Sequence, residues 1–216
     1  MHRNIKPLAV ALVTSILVLA GCSDSADGGA AGDSIIDAIA VTSFDGEFQS
    51  ECLPGPEAKI SVQDLLIINS TQASLTQTEF SSPGCGAFED FTEISTRVVQ
   101  IEIVYGDTLI FPATGFSGQE VDLIFGAITL TPASAESAES LNTSSTCGIA
   151  NFEAGVTTPI PDGCESFTSM TGTSFNTFAL ENNELFFGSP FILQPPRSPD
   201  DRPSELDVFF PFVRVS

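Results

Sequence analysis

Beyond about residue 41 the chain alternates apolar and polar side chains with a period of two. Within 98–105, Val99, Ile101, Ile103 and Tyr105 share one face while Gln100 and Glu102 occupy the other. This is the signature of a half-buried antiparallel strand. Val121, Leu123 and Phe125 repeat the pattern, which then slips by one residue so that Ile128 and Leu130 take over. Gly126 sits at the slip and is a candidate β-bulge. Further strands are predicted over 59–70, 74–80, 88–96, 174–180, 184–188 and 206–215, because Thr, Val, Ile and Phe are dense there and Gly or Pro punctuates the gaps. Glu181-Asn182-Asn183 predicts a short hairpin turn. Pro211 inside the last strand predicts an edge or a bulge. Residues 133–140 fit a brief helical turn or a solvated loop, and 106–119 and 142–164 read as long loops.

About eight strands joined by hairpins, with scraps of helix, define an all-β fold: an antiparallel up-and-down β-barrel or a β-sandwich. No low-complexity break divides 41–216, so a single β-rich domain is expected there. A domain of this length buries roughly 70% of its unfolded surface, enough for a core of its own.

The first forty residues follow other rules. His2, Arg3 and Lys6 precede 8–20, which are apolar except for Thr14 and Ser15. That is the charged and then hydrophobic layout of an export signal. It ends in Leu19-Ala20-Gly21-Cys22, which resembles the cleavage site of bacterial lipoprotein signals. The resemblance implies removal of 1–21 and attachment of lipid to Cys22, which would anchor the protein stably in a membrane. Ser23, next to that cysteine, resembles an outer-membrane sorting signal. Residues 23–34 hold only Gly, Ala, Ser and Asp among small polar or charged types and bury nothing. Residues 22–40 are therefore expected to be the lipidated cysteine and a flexible tether.

Charge narrows the partners. Seven basic residues stand against 28 acidic ones, for a net charge of −21. Removal of Arg3 and Lys6 with a leader would leave five basic residues and −23. Such a surface repels nucleic acid and anionic head groups, and no nucleic-acid partner is expected. Asp200, Asp201, Glu205 and Asp207 cluster, but without the Asp-x-Asp-x-Asp-Gly spacing that wraps calcium; no metal or other cofactor is expected.

Cysteine use agrees with export. Besides Cys22 there are Cys52, Cys85, Cys147 and Cys164, an even number that suits two disulfides in an oxidising compartment. Three pairings are possible. The local one, Cys52 with Cys85 and Cys147 with Cys164, is favoured because short loops close first, each stabilising by about 3 to 4 kcal/mol in the chain-entropy picture. Four-cysteine zinc binding is the competing reading, and the spacings lack its close pairs.

The order of landmarks resembles a group of uncharacterised bacterial lipoproteins with a lipocalin-like barrel. The matching pieces are Gly46-Glu47-Phe48 leading to Ser50 and Cys52, Phe80-Ser81-Ser82-Pro83-Gly84-Cys85, and Cys147-Gly148. They continue with Asn183-Glu184-Leu185-Phe186-Phe187-Gly188, Arg202-Pro203 with Leu206-Asp207, and Pro211-Phe212-Val213-Arg214. Phe48 stands where such barrels carry a tryptophan, and the chain has none. The resemblance therefore implies a weaker aromatic plug at the closed end.

Chemistry is sparse. The one histidine, His2, lies in the leader, so the mature chain has no Ser-His-Asp or Cys-His pair and no histidine-ligated metal. No Gly-x-Ser-x-Gly elbow or Gly-Lys phosphate loop occurs. Acidic neighbours such as Glu89 with Asp90 or Glu93 arise by chance in so acidic a chain, Lys59 reads as a strand-edge charge, and Arg202 as a structural partner for Asp207. No enzyme is expected. Two readings remain. One is a lipid-anchored envelope binding module holding a small apolar ligand in a barrel lined by residues such as Phe125, Phe178, Phe186 and Phe210. The other is a structural or interaction lipoprotein of the outer membrane with a solid core, contacting an envelope protein through its loops.

Overall fold

The period-two segments pair in the order in which the chain makes them. The computed structural model describes residues 43–55, 60–82, 84–85, 92–188 and 195–216, all within the compact unit Ala40–Ser216. Its strands are β1 (Gly46–Gln49), β2 (Leu53–Pro54), β3 (Ser61–Asn69), β4 (Gln72–Phe80), β5 (Glu93–Ile110), β6 (Ser117–Pro132), β7 (Thr158–Ile160), β8 (Gly172–Glu181), β9 (Glu184–Phe187) and β10 (Asp207–Arg214). Eight of them, in the order β1, β3, β4, β5, β6, β8, β9, β10, form a closed antiparallel barrel, so the sandwich alternative falls away. Closure rests on β1, which pairs with β3 from Gly46↔Ile68 to Gln49↔Leu65 and with β10 at Phe48↔Arg214. β2 prolongs one margin of β3, and β7 lies beside β6 at Ile128–Leu130, beyond the part that β8 takes.

Two irregularities fall where glycine and proline predicted them. Val99 pairs with Ile128 and Ile101 with Phe125, so Gly126 and Ala127 together oppose Gln100. This bulge preserves the inward direction of Phe125 and Ile128 on either side of the slip. In β10, Asp207 pairs with Phe187 and Phe212 with Leu185, which leaves Val208 to Pro211 looped out opposite Phe186 alone. The Asn182-Asn183 turn has φ of 53° and 68°, as the two-residue hairpin between β8 and β9 requires.

Elsewhere the expected boundaries move. The two strands expected at 88–96 and 98–105 are one, β5, as far as the described residues show. Most of the long loop expected at 106–119 is strand: β5 runs to Ile110 and β6 resumes at Ser117. The hairpin tip is ordered because Phe111 is buried against Gly118, where a Cβ would collide with the Phe111 ring and the Phe178 carbonyl. The Ser- and Glu-rich stretch forms a helix, α1 (Ala135–Thr143), because Ser134 and Ser137 cap each other reciprocally and Ala138 supplies a buried contact. Residues 142–164 carry a 3-10 turn at Thr146–Gly148 and then β7. Both disulfides take the local pairing, Cys52–Cys85 and Cys147–Cys164, with Cα separations of 5.6 and 5.1 Å.

The barrel interior is filled with side chains. Phe48, Leu66, Leu75, Ile103, Leu123, Phe178 and Leu185 are among its fully buried members. Around Phe48 the missing tryptophan is offset by numbers. Phe44 stacks on Tyr105 at 5.9 Å and meets Phe178 edge-on at 5.8 Å, while Phe187 bridges Phe178 at 4.9 Å and Phe212 at 5.1 Å. The guanidinium of Arg214 lies 4.7 Å over the Phe48 ring and donates to the Asp45 carbonyl at 2.7 Å. Gly46 admits it, since a Cβ there would stand 2.6 Å from Arg214 Nη1.

Phe48 thus closes the ring and fills its centre at once. Phe48→Ala is expected to lower stability by about 3 to 5 kcal/mol, read as a fall in the urea midpoint. An unchanged midpoint would remove Phe48 from the core.

Candidate functional site

Three adjacent strands turn polar side chains into the barrel at one level. Asp64 shares the inward parity of Leu66 and Ile68 on β3, Gln77 that of Leu75 on β4, and Arg97 that of Val99 and Ile101 on β5. Register sets Asp64 opposite Gln77 and Gln77 opposite Arg97. Gln77 Nε2 donates to Asp64 Oδ1 at 3.0 Å, and Arg97 Nη2 donates to Gln77 Oε1. The amide therefore stands between carboxylate and guanidinium and bonds to both.

The far side of Arg97 meets the 3-10 turn Glu165–Met170, whose Phe167 ring lies 4.8 Å from the guanidinium and whose Met170 sulfur is 3.7 Å from Nη1. Arg197 holds this turn in place by donating to the main-chain oxygens of Thr168, Ser169, Thr171 and Thr173. On the other flank, Ser50 Oγ accepts from the Asp64 backbone N–H at 2.9 Å. Ser95 Oγ donates to Glu79 Oε2 at 3.3 Å. Arg97 Nε, Ser82 Oγ and Ser174 Oγ are buried without a hydrogen-bond partner among the described residues.

Burial governs the electrostatics. It pushes the Asp64 carboxyl up to about 6, outweighing the Gln77 hydrogen bond and the Arg97 charge that favour ionisation. The same desolvation lowers Arg97 against the pull of Glu79 and Asp64. The arrangement can hold and release a proton in mildly acidic conditions. A cavity of about 200 Å³ lies at the Gly126 bulge between Phe125, Ile128, Ile160 and Phe167, whose ring meets Arg97. An open groove of about 360 Å³ runs along Cys147, Cys164 and Glu165. A shallow groove of about 530 Å³ follows α1 and Phe152.

The residues expected to line a ligand chamber separate. Phe125 and Phe178 belong to the core. Phe186 does not: its neighbours Leu185 and Phe187 point inward, so it faces outward and packs at 5.4 Å against Phe116 of the β5–β6 hairpin. Phe210 is 56% exposed on the looped-out part of β10. Arg202 pairs not with Asp207 but with Asp122 at 2.6 Å and Glu120 at 3.7 Å, and it donates to the carbonyls of Val121 and Asn176. Asp200 and Asp201 are exposed on a 3-10 turn, and Asp207 Oδ1 accepts from the Phe209 N–H. Glu93 accepts from Thr96 at the exposed start of β5. Cys22 with the whole of 1–40, Lys59, Glu89 and Asp90 lie outside the described residues.

The Asp64, Gln77 and Arg97 line was missed although its signal was present. Each is a polar residue at an apolar parity position of its strand. Compared with models of known protein families and with curated proteins, the chain matches none.

A carboxyl that titrates higher in the folded than in the unfolded protein holds its proton more tightly when folded. Stability contributed by protonated Asp64 is complete below the unfolded value of 3.8 and is lost as pH rises through about 6. The loss amounts to roughly 3 kcal/mol at most. Asp64→Asn should match the wild type in urea melts near pH 4 and exceed it above pH 7. Equal stability of the two proteins at both pH values would show that Asp64 is not held in a desolvated site.

Proposed function

We propose that this chain is a lipid-anchored protein of the bacterial outer membrane that works through its outer surface, with a solid barrel as scaffold. The filled interior carries the reading. Drug-sized ligands occupy cavities of roughly 300 to 1,000 Å³. The space at the Gly126 bulge is about 200 Å³, the larger grooves along α1 and beside Cys147–Cys164 are open to solvent, and the barrel's inward positions are taken by side chains of one core cluster. Two disulfides support passage through an oxidising compartment. The Leu19-Ala20-Gly21-Cys22 motif supports lipidation at Cys22.

The carrier reading draws its support from the buried Arg97 Nε, which has no hydrogen-bond partner among the described residues and which a small polar ligand group would satisfy. Native mass spectrometry of the protein purified from its host weighs the two. The expected result is a chain lacking 1–21, carrying acyl mass at its first cysteine and no other retained molecule. A co-purifying lipid or isoprenoid would favour the carrier. Cys22→Ser should abolish the acyl mass, and its persistence would overturn the anchor.

A further inference from the structure

Arg97 is a largely buried cation with no carboxylate in direct contact among the described residues. Its Nη2 donates to the Gln77 amide oxygen, its Nη1 meets the Met170 sulfur at 3.7 Å, and its Nε has no acceptor among the described residues. Asp64 stands behind Gln77, and Glu79 accepts from Ser95. A guanidinium so incompletely matched is costly to bury, and an anion at Nε would relieve that cost.

The chamber of about 200 Å³ at the Gly126 bulge lies beside this cation. Phe125, Ile128, Ile160 and Phe167 give it apolar walls, and the Phe167 ring also lies 4.8 Å from the guanidinium. Register agrees: Val99 pairs with Ile128 and Arg97 with Leu130, so Arg97 is the next inward position along β5, about 7 Å from the level of Ile128. At the other end the chamber reaches solvent, where Pro161, Asp162 and Gly163 are exposed. We propose that the chamber binds a small apolar monocarboxylate, with its carboxylate on Arg97 Nε and its hydrocarbon end toward the rim at Asp162. This goes beyond the outer-surface reading and does not depend on the anchor.

Size and charge narrow the ligand. At about 30 Å³ for each water-sized group the space takes roughly seven, far fewer than a lipid needs. A second carboxylate at the rim would meet Asp162 and be repelled. The net charge of −21 opposes entry of any anion, so the affinity expected is on the order of millimolar, and such a ligand leaves on buffer exchange. Asp64 from β3 and Glu79 from β4 are the charges that face Arg97; β6 presents Ile128 and Leu130, and Glu165 on the covering turn is exposed. With its carboxyl pushed up to about 6, Asp64 loses its charge on mild acidification and ceases to compete for the guanidinium. An ordinary carboxylic acid titrates at about 4 and stays ionised there.

Benzoate is the probe, followed through the arginine Nε–H signals of the full chain labelled with nitrogen-15 arginine. Arg97→Lys identifies the Arg97 signal, or through-bond correlation does so if that variant fails to fold, and Arg197, Arg202 and Arg214 serve as internal controls. Benzoate is expected to move the Arg97 signal saturably, to leave the controls in place, and to bind about tenfold more tightly than its neutral isostere benzyl alcohol. Its affinity is expected to be several-fold higher at about pH 5 than at about pH 8, a gain that Asp64→Asn removes. Ile160→Trp, which fills the chamber from β7, should abolish binding while the Arg97 signal persists. An Arg97 signal that benzoate does not move overturns the inference. So does movement produced as readily by benzyl alcohol, which would show that charge is not read, or by inorganic phosphate, which would show that the apolar walls are not used.

Discussion

Closure of the ring depends on four residues. β1 alone pairs with both β3 and β10, so the hydrogen bonds at Gly46–Gln49 make a cylinder out of what would otherwise be a sheet with two open edges. A strand so short has little ladder energy of its own. What holds it is burial at its centre, where Phe48 is fully enclosed beneath Arg214, in the same core cluster as Phe44 and Phe178. Gly46 is part of the same device, since only a residue without a Cβ leaves room for the Arg214 guanidinium.

The two halves of the interior differ in kind. Around Phe48 it is packed with aromatic and aliphatic side chains whose contacts are nondirectional. Toward the 3-10 turn Glu165–Met170 it holds a line of hydrogen bonds from Asp64 through Gln77 to Arg97, where direction matters and unpaired groups are costly. Asp64 is expensive to keep ionised there, and Gln77 moderates that expense by bonding to it. The polar line also joins three strands to the turn above them through Met170 and Phe167, and Arg197 secures that turn from outside. Cys147–Cys164 fixes the start of the same covering segment.

The outside of the barrel differs from its filled centre. The outer side is unevenly provided: Phe116 and Phe186 cover each other between the β5–β6 hairpin and β9, while Phe209 and Phe210 remain exposed to solvent on β10. The bulge that Pro211 helps to create separates these two fates.

From its residues alone the chain declared its β class, the extent of most strands, the bulge at Gly126, the Asn182-Asn183 turn and the pairing of nearby cysteines. These are local properties: side-chain parity, backbone freedom at glycine or asparagine, and short loop closure. Parity, however, separates two faces without saying which is inside once a bulge intervenes, so Phe186 and Phe210 could not be placed. Likewise Arg202 found Asp122 and Glu120 across about eighty residues of chain, not the nearby Asp207. Ring closure through β1 and the line Asp64, Gln77, Arg97 exist only when distant strands take up register, because each depends on partners that no stretch of sequence contains by itself.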